Sequence, residues 1–93
     1  MKEYTYKKSP KEKFIIRAPS TRANKKYDVY TEGGKYVVSF GDNRYEHYFD
    51  KFGYYSHLNH GDSQRRKRYQ SRHKKDYITD PRYAGYWSWN FLW

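Results

Sequence analysis

Cysteine is absent from this 93-residue chain, which excludes disulfides and thiolate metal sites as staples of the fold. Aliphatic side chains are almost as scarce: isoleucine, leucine and valine together occur eight times. That excludes a core of interdigitated aliphatics. No apolar run approaches the roughly 20 residues of a membrane-spanning helix, and the opening MKEYTYKKSPKEK lacks the apolar segment of a secretory signal. Acids number ten against twenty lysines and arginines, so the surface is strongly cationic. These absences lead us to expect a protein made and kept inside a cell, with no integral membrane segment.

Rings fill the gap that the aliphatics leave. Thirteen tyrosines, five phenylalanines and three tryptophans predict a core of aromatic side chains with hydroxyls reaching its edge. A chain of this length holds one domain and buries about two-thirds or less of its unfolded surface. The net charge of +10 is unevenly placed: +7 over residues 1–26, −2 over 27–61 and +5 over 62–93. An acidic centre between basic ends argues for localised cationic surfaces rather than uniform solubilising charge.

The strongest local signal is KYDVYTEGGKYVVSFG. Gly33-Gly34 suits a two-residue hairpin turn that requires positive φ. Registered on that turn, Tyr27 faces Phe40, Val29 faces Val38, Tyr30 faces Val37 and Thr31 faces Tyr36. One face then collects Tyr27, Val29, Thr31, Tyr36, Val38 and Phe40, and the other carries Asp28, Tyr30, Glu32, Lys35, Val37 and Ser39. Phe14–Arg17 is a candidate third strand. Next, Tyr45, Tyr48, Phe49 and Phe52 fall at helical spacing behind Asp42 as N-cap, stopped by Gly53. Asp62 or Ser63 caps a second helix running to about Lys75. The aromatic tail AGYWSWNFLW reads as a strand with Trp87, Trp89, Phe91 and Trp93 on one side, or as a helix with Tyr83, Tyr86, Trp87, Asn90 and Trp93 together. Asp80-Pro81 favours the helix and Gly85 weakens it. The expected fold is a small α+β domain over residues 25–93. It holds a β-hairpin or three-stranded antiparallel sheet packed on short aromatic-rich helices. Residues 1–24 read as a basic arm, flexible or ordered on a partner.

Residues 63–75, SQRRKRYQSRHKK, contain seven cationic side chains and no acid. Arg65, Arg66, Lys67, Arg68, Arg72, Lys74 and Lys75 are candidates for phosphate contact, with Tyr69 and His73 alongside to stack or hydrogen-bond. A run of charge is often only a solvated helix face, but here no acid is interleaved at i±4 to neutralise it. The tail has two readings. It folds back to supply the missing core, the reading we prefer, or Trp87, Trp89, Phe91 and Trp93 dock into a neighbouring subunit. His57, His60 and Asp62 raise the question of a metal-dependent nuclease, yet no fourth ligand stands at a characteristic spacing. Side chains bonding the connector while Asp62 caps a helix is the better reading, so no metal, cofactor or catalytic residue is expected. Gly33-Gly34 has no lysine-serine or lysine-threonine pair behind it and is no phosphate loop. Tyr27, Tyr36 and Phe40 on an open sheet would make a base-stacking platform. A one-sided apolar hairpin more often faces a core.

The segments KKYDVY, FGDNRYEHYFDKFGYYSHLNHGD, RRKRYQSRH and AGYWSWNFLW, spread from Lys25 to Trp93, resemble a family of small basic proteins encoded by large double-stranded DNA viruses of algae and protists. The resemblance implies a viral origin and a recurrent fold unit. It brings no activity, cofactor or catalytic residue. Asn59 stands where that family is expected to carry an acid. The function expected from charge and resemblance together is a non-catalytic, virion-associated protein that binds polyanion, chiefly nucleic acid. The alternatives are a minor capsid protein held to other capsid subunits through its arm and tail, and the nuclease.

Overall fold

The computed structural model describes residues 1–76 and 78–93. Four antiparallel strands form a meander in sequential order: β1 (Lys2–Ser9), β2 (Glu12–Ala18), β3 (Lys25–Thr31) and β4 (Tyr36–Asp42). Two helices follow, α1 (Ser63–His73) and α2 (Ala84–Phe91). The α+β class is as expected, with a wider sheet.

Residues 1–24 are not an arm. Tyr4 and Tyr6 alternate with exposed polar residues along β1, and Phe14, Ile16 and Ala18 are buried along β2. Both strands therefore present one apolar face and one wet face, which is why their lysines are compatible with a sheet. Lys7 pairs with Lys13 and Ser9 with Glu12 around the turn at Pro10. There the Glu12 amide donates to Ser9 Oγ at 3.1 Å. β2 then pairs with β3, Ile16 opposite Val29.

The β3–β4 hairpin keeps the expected pairs Tyr27–Phe40, Asp28–Ser39 and Val29–Val38, but Tyr30 faces Tyr36. A bulge at Val37 takes up the extra residue and moves Tyr36 to the outer face. The turn differs to match. The Gly34 amide bonds the Thr31 carbonyl at 2.9 Å, and Gly34 alone of the glycine pair has positive φ (92°). On the outer face, Arg17 lies over the Tyr30 ring at 4.7 Å and Arg22 over the Tyr36 ring at 4.6 Å. The proposed stacking platform is absent, since Tyr27 and Phe40 are both fully buried on the inner face.

No helix forms where Asp42 was expected to cap one. Asp42 ends β4 and clamps Arg44 in a two-pronged ion pair (2.8 and 3.0 Å), and residues 43–61 run as an irregular cover with one 3₁₀ turn, Ser56–Leu58. Buried side chains replace the helical ladder as partners for this backbone. Asp50 accepts from the amides of Phe52 and Tyr55, both at 2.9 Å, and from the Tyr27 hydroxyl. Asn59 Oδ1 accepts from the Asp50 amide (2.8 Å) and from His47 Nε2 (2.6 Å). That fixes the His47 tautomer: Nε2 carries the proton, and Nδ1 accepts from Lys26 Nζ at 2.7 Å. Lys26 also donates to the Tyr45 carbonyl at 2.9 Å. Burial draws the Lys26 ammonium down to about 8, against the opposing pull of Asp50 and Asp42. His47 is lowered by its own burial and then by Lys26.

The core lies between the inner sheet face and α2. Trp87, wholly buried, meets Phe14 at 5.2 Å, Tyr6 at 5.5 Å and Phe40 at 5.9 Å. Its indole N–H donates to the Pro81 carbonyl at 2.8 Å. Tyr27 stacks on Phe40 at 5.2 Å, and the Tyr6 and Tyr86 hydroxyls bond each other at 2.9 Å. The tail thus folds back as the preferred reading holds. Its helix starts at Ala84 rather than Pro81, because the Tyr83 amide closes a turn on the Asp80 carbonyl first (3.1 Å).

Candidate polyanion interface and the cleft beside it

Helix α1 starts where the sequence placed it. Asp62 caps it, its carboxylate accepting from the amides of Gln64 (2.9 Å) and Arg65 (3.3 Å), and those bonds hold the carboxyl below its usual range. Arg72 and His73 fall in its last turn, where the helix dipole favours cations. One side of α1 rests on the C-terminal residue of α2's extension. Tyr69 stacks on Trp93 with centroids 4.3 Å apart and planes 6° from parallel, and burial lifts its hydroxyl to about 12.

The candidate phosphate contacts divide into two groups. Arg65 is paired with Glu46 at 3.0 Å. Arg66 donates through Nε to the Trp93 main-chain oxygen at 2.7 Å and lies over the Tyr48 ring at 4.8 Å. His73 bonds Asp76 at 2.5 Å and stacks on Tyr69 at 4.2 Å. Arg65 and Arg66, with Tyr69, tie α1 to the body of the protein, while the partners of His73 lie on α1 and in the turn after it. Lys67, Arg68, Arg72, Lys74 and Lys75 are exposed and have no ion pair among the described residues. They form an uncompensated cationic ridge along the outward side of α1 and the turn after it.

Of the four tail residues considered for docking, Trp87 is sealed in the core and cannot reach a partner. Phe91 is packed against that core, stacked on Phe52 at 4.6 Å, and Trp93 lies beneath Tyr69. Trp89 alone remains half-exposed without such a partner. The His57, His60 and Asp62 triad does not converge. His60 Nδ1 accepts from the Asp62 amide at 2.9 Å, the Asp62 carboxylate is engaged by the helix, and His57 lies against Tyr55. No group of three or more histidine, aspartate or glutamate side chains that could hold a metal occurs among the described residues. Asn59 is the acceptor that fixes His47.

Sequence reasoning missed the cleft beside the ridge. The amides of Phe49 and Lys51 bond the carbonyls of Leu92 and Phe91, each at 3.0 Å. This places residues 48–51 alongside the end of α2. Between that segment, α1 and α2 lies a cleft of about 360 Å³ lined by Tyr48, Phe49, Lys51, Arg66, Trp89 and Trp93, with Gln70, Asn90 and Gly61 completing it. No acidic side chain lines it. Gln70 donates to the Trp93 oxygen at 3.3 Å, and Asn90 to the Tyr86 carbonyl at 2.7 Å. Nothing in the residue spacing announced this assembly, since Phe49 and Lys51 come from a segment that reads as helix.

No helix among the described residues is long and apolar enough to cross a membrane. Comparison with known proteins finds no matching family model, no matching curated protein and no matching solved structure.

Proposed function

We propose that this protein is a non-enzymatic nucleic-acid binder that engages phosphates through the outward ridge of α1 without reading base sequence. The observation that carries this reading is the set of five exposed cations, Lys67, Arg68, Arg72, Lys74 and Lys75, with no ion-pair partner among the described residues. Uncompensated cations at successive turns of a helix release condensed counterions when they meet a polyanion, a gain that is independent of sequence. Gln70, an amide in the body of α1 of the kind that reads adenine edges, is bonded to Trp93 instead. On the resemblance described above, the ligand would be a viral genome during packaging or within the virion.

The test is a titration of two or more duplexes of unrelated sequence at low and at physiological salt. Equal affinities across sequences with steep weakening in salt support the reading. No binding at low salt, or binding insensitive to salt, overturns it.

A further inference from the structure

The cleft beside α1 specifies which form of nucleic acid the ridge would hold. The interior of this protein is a web of ring contacts. Nearly every aromatic side chain stacks on, or meets edge-on, another ring or lies beneath an arginine. Among the described residues, Phe49 and Trp89 are the exceptions, having neither a ring partner nor a cation partner. Both line the same cleft. Phe49 is 56% exposed, a position that no packing inside the chain explains.

Two cations share the cleft with those unpartnered rings. Lys51 is exposed and has no ion pair among the described residues. Arg66 bonds Trp93 through Nε, which leaves its terminal nitrogens able to donate. Free π-faces beside cations, with no acidic side chain among the lining residues, suit a flat aromatic group bearing a negative charge. The cleft's volume of about 360 Å³ lies near the lower end of the roughly 300–1,000 Å³ typical of small-ligand sites. Arg66 also stands one residue before Lys67 in α1, so the cleft and the ridge share that helix.

We propose that this cleft takes up an unstacked nucleobase with its attached phosphate, making the protein a binder of single-stranded nucleic acid in preference to duplex. The proposal rests on the polyanion reading above. In a duplex the base faces are already stacked on their neighbours, so Phe49 and Trp89 have nothing to receive. In a single strand each base offers a π-face at little cost. The strand's phosphates would pass from Arg66 and Lys51 towards Lys67.

The experiment compares equal-length single-stranded and duplex DNA by tryptophan fluorescence and by titration, with AMP as a separate arm. The variants are Trp89→Ala and Phe49→Ala, checked for folding by circular dichroism. The expected result is tighter binding of the single strand with quenched fluorescence. Each variant should lose about tenfold in single-strand affinity, the scale of one base–aromatic stack, with duplex affinity unchanged. Equal affinity for the two forms, unaltered in both variants, overturns the cleft proposal while leaving the ridge intact. AMP binding as tightly as the oligonucleotide overturns the strand as occupant. Failure of both DNA forms to bind overturns the polyanion reading itself.

Discussion

Replacing Arg68 and Arg72 together by alanine tests the ridge most directly. Both side chains are exposed and unpaired, so their loss removes charge without breaking an internal contact. Alanine is at least as good a helix former, and stability should stay within about 0.5 kcal/mol of the parent. The ridge carries five such cations, and if each meets one phosphate the slope of log K against log salt for duplex DNA is about −4.5. Affinity then falls by roughly 500-fold between about 50 and 200 mM salt. The double variant keeps three, and its slope should flatten to about −2.7. Arg65→Ala provides the contrast, because that guanidinium is bonded to Glu46 and should move the slope by less than about one. Fluorescence anisotropy across a salt series reads all three proteins. A parent slope shallower than about −2, or one that Arg68→Ala/Arg72→Ala leaves untouched while Arg65→Ala changes it, refutes the division of the cations drawn from the structure.

Three further outcomes follow from the packing. Lys26 has a folded pKa of about 8 against 10.5, so the folded chain binds fewer protons between those values and stability rises with pH there. The gain is about 2 kcal/mol from roughly pH 7 to pH 9.5. Above about pH 10 the trend reverses, because folding raises Tyr69 and Tyr27 and keeps them protonated. Urea midpoints should show the rise in the parent and its flattening in Lys26→Met; a parent midpoint independent of pH over that window contradicts the account. Gly85→Ala would ordinarily stabilise a helix, but here an added Cβ stands 2.2 Å from the Asp76 carbonyl oxygen. It should cost about 1–3 kcal/mol, and an unchanged or higher melting temperature rejects that contact. Trp87→Ala should cost about 3–5 kcal/mol, a large share of the stability of a small domain. Retention of the parent melting temperature would return Trp87 to the surface as a docking residue.

Much of the architecture was legible because it rests on local rules. The β3–β4 hairpin follows from period-two alternation around a glycine pair. Helix α1 follows from Asp62 before a run without glycine or proline. β1 and β2 were equally legible in principle: Tyr4, Tyr6, Phe14 and Ile16 alternate correctly, and Pro10 marks the turn. Their lysines masked the pattern by suggesting an arm, although the wet face of a half-buried sheet is an ordinary place for charge. The false helix after Asp42 shows the opposite limit. Tyr45, Tyr48, Phe49 and Phe52 do recur at helical spacing, but Asp50, Asn59 and Lys26 bond this backbone from outside any i→i−4 ladder, with His47 bridging Lys26 and Asn59, and those partners meet only in the folded chain.

The sequence alone determined that the core would be aromatic, because eight aliphatic residues leave no other material for it, and that the charge would be cationic and clustered, because no acid interrupts residues 63–75. Tertiary structure decided which cations remain available. Glu46 reaches Arg65, the Trp93 oxygen reaches Arg66, and Asp76 turns back to His73. It also decided that Phe49 and Trp89 would be left beside one cleft. Composition counts side chains, whereas pairing depends on distances of a few ångströms between segments remote in the chain, and only the packed fold sets those distances.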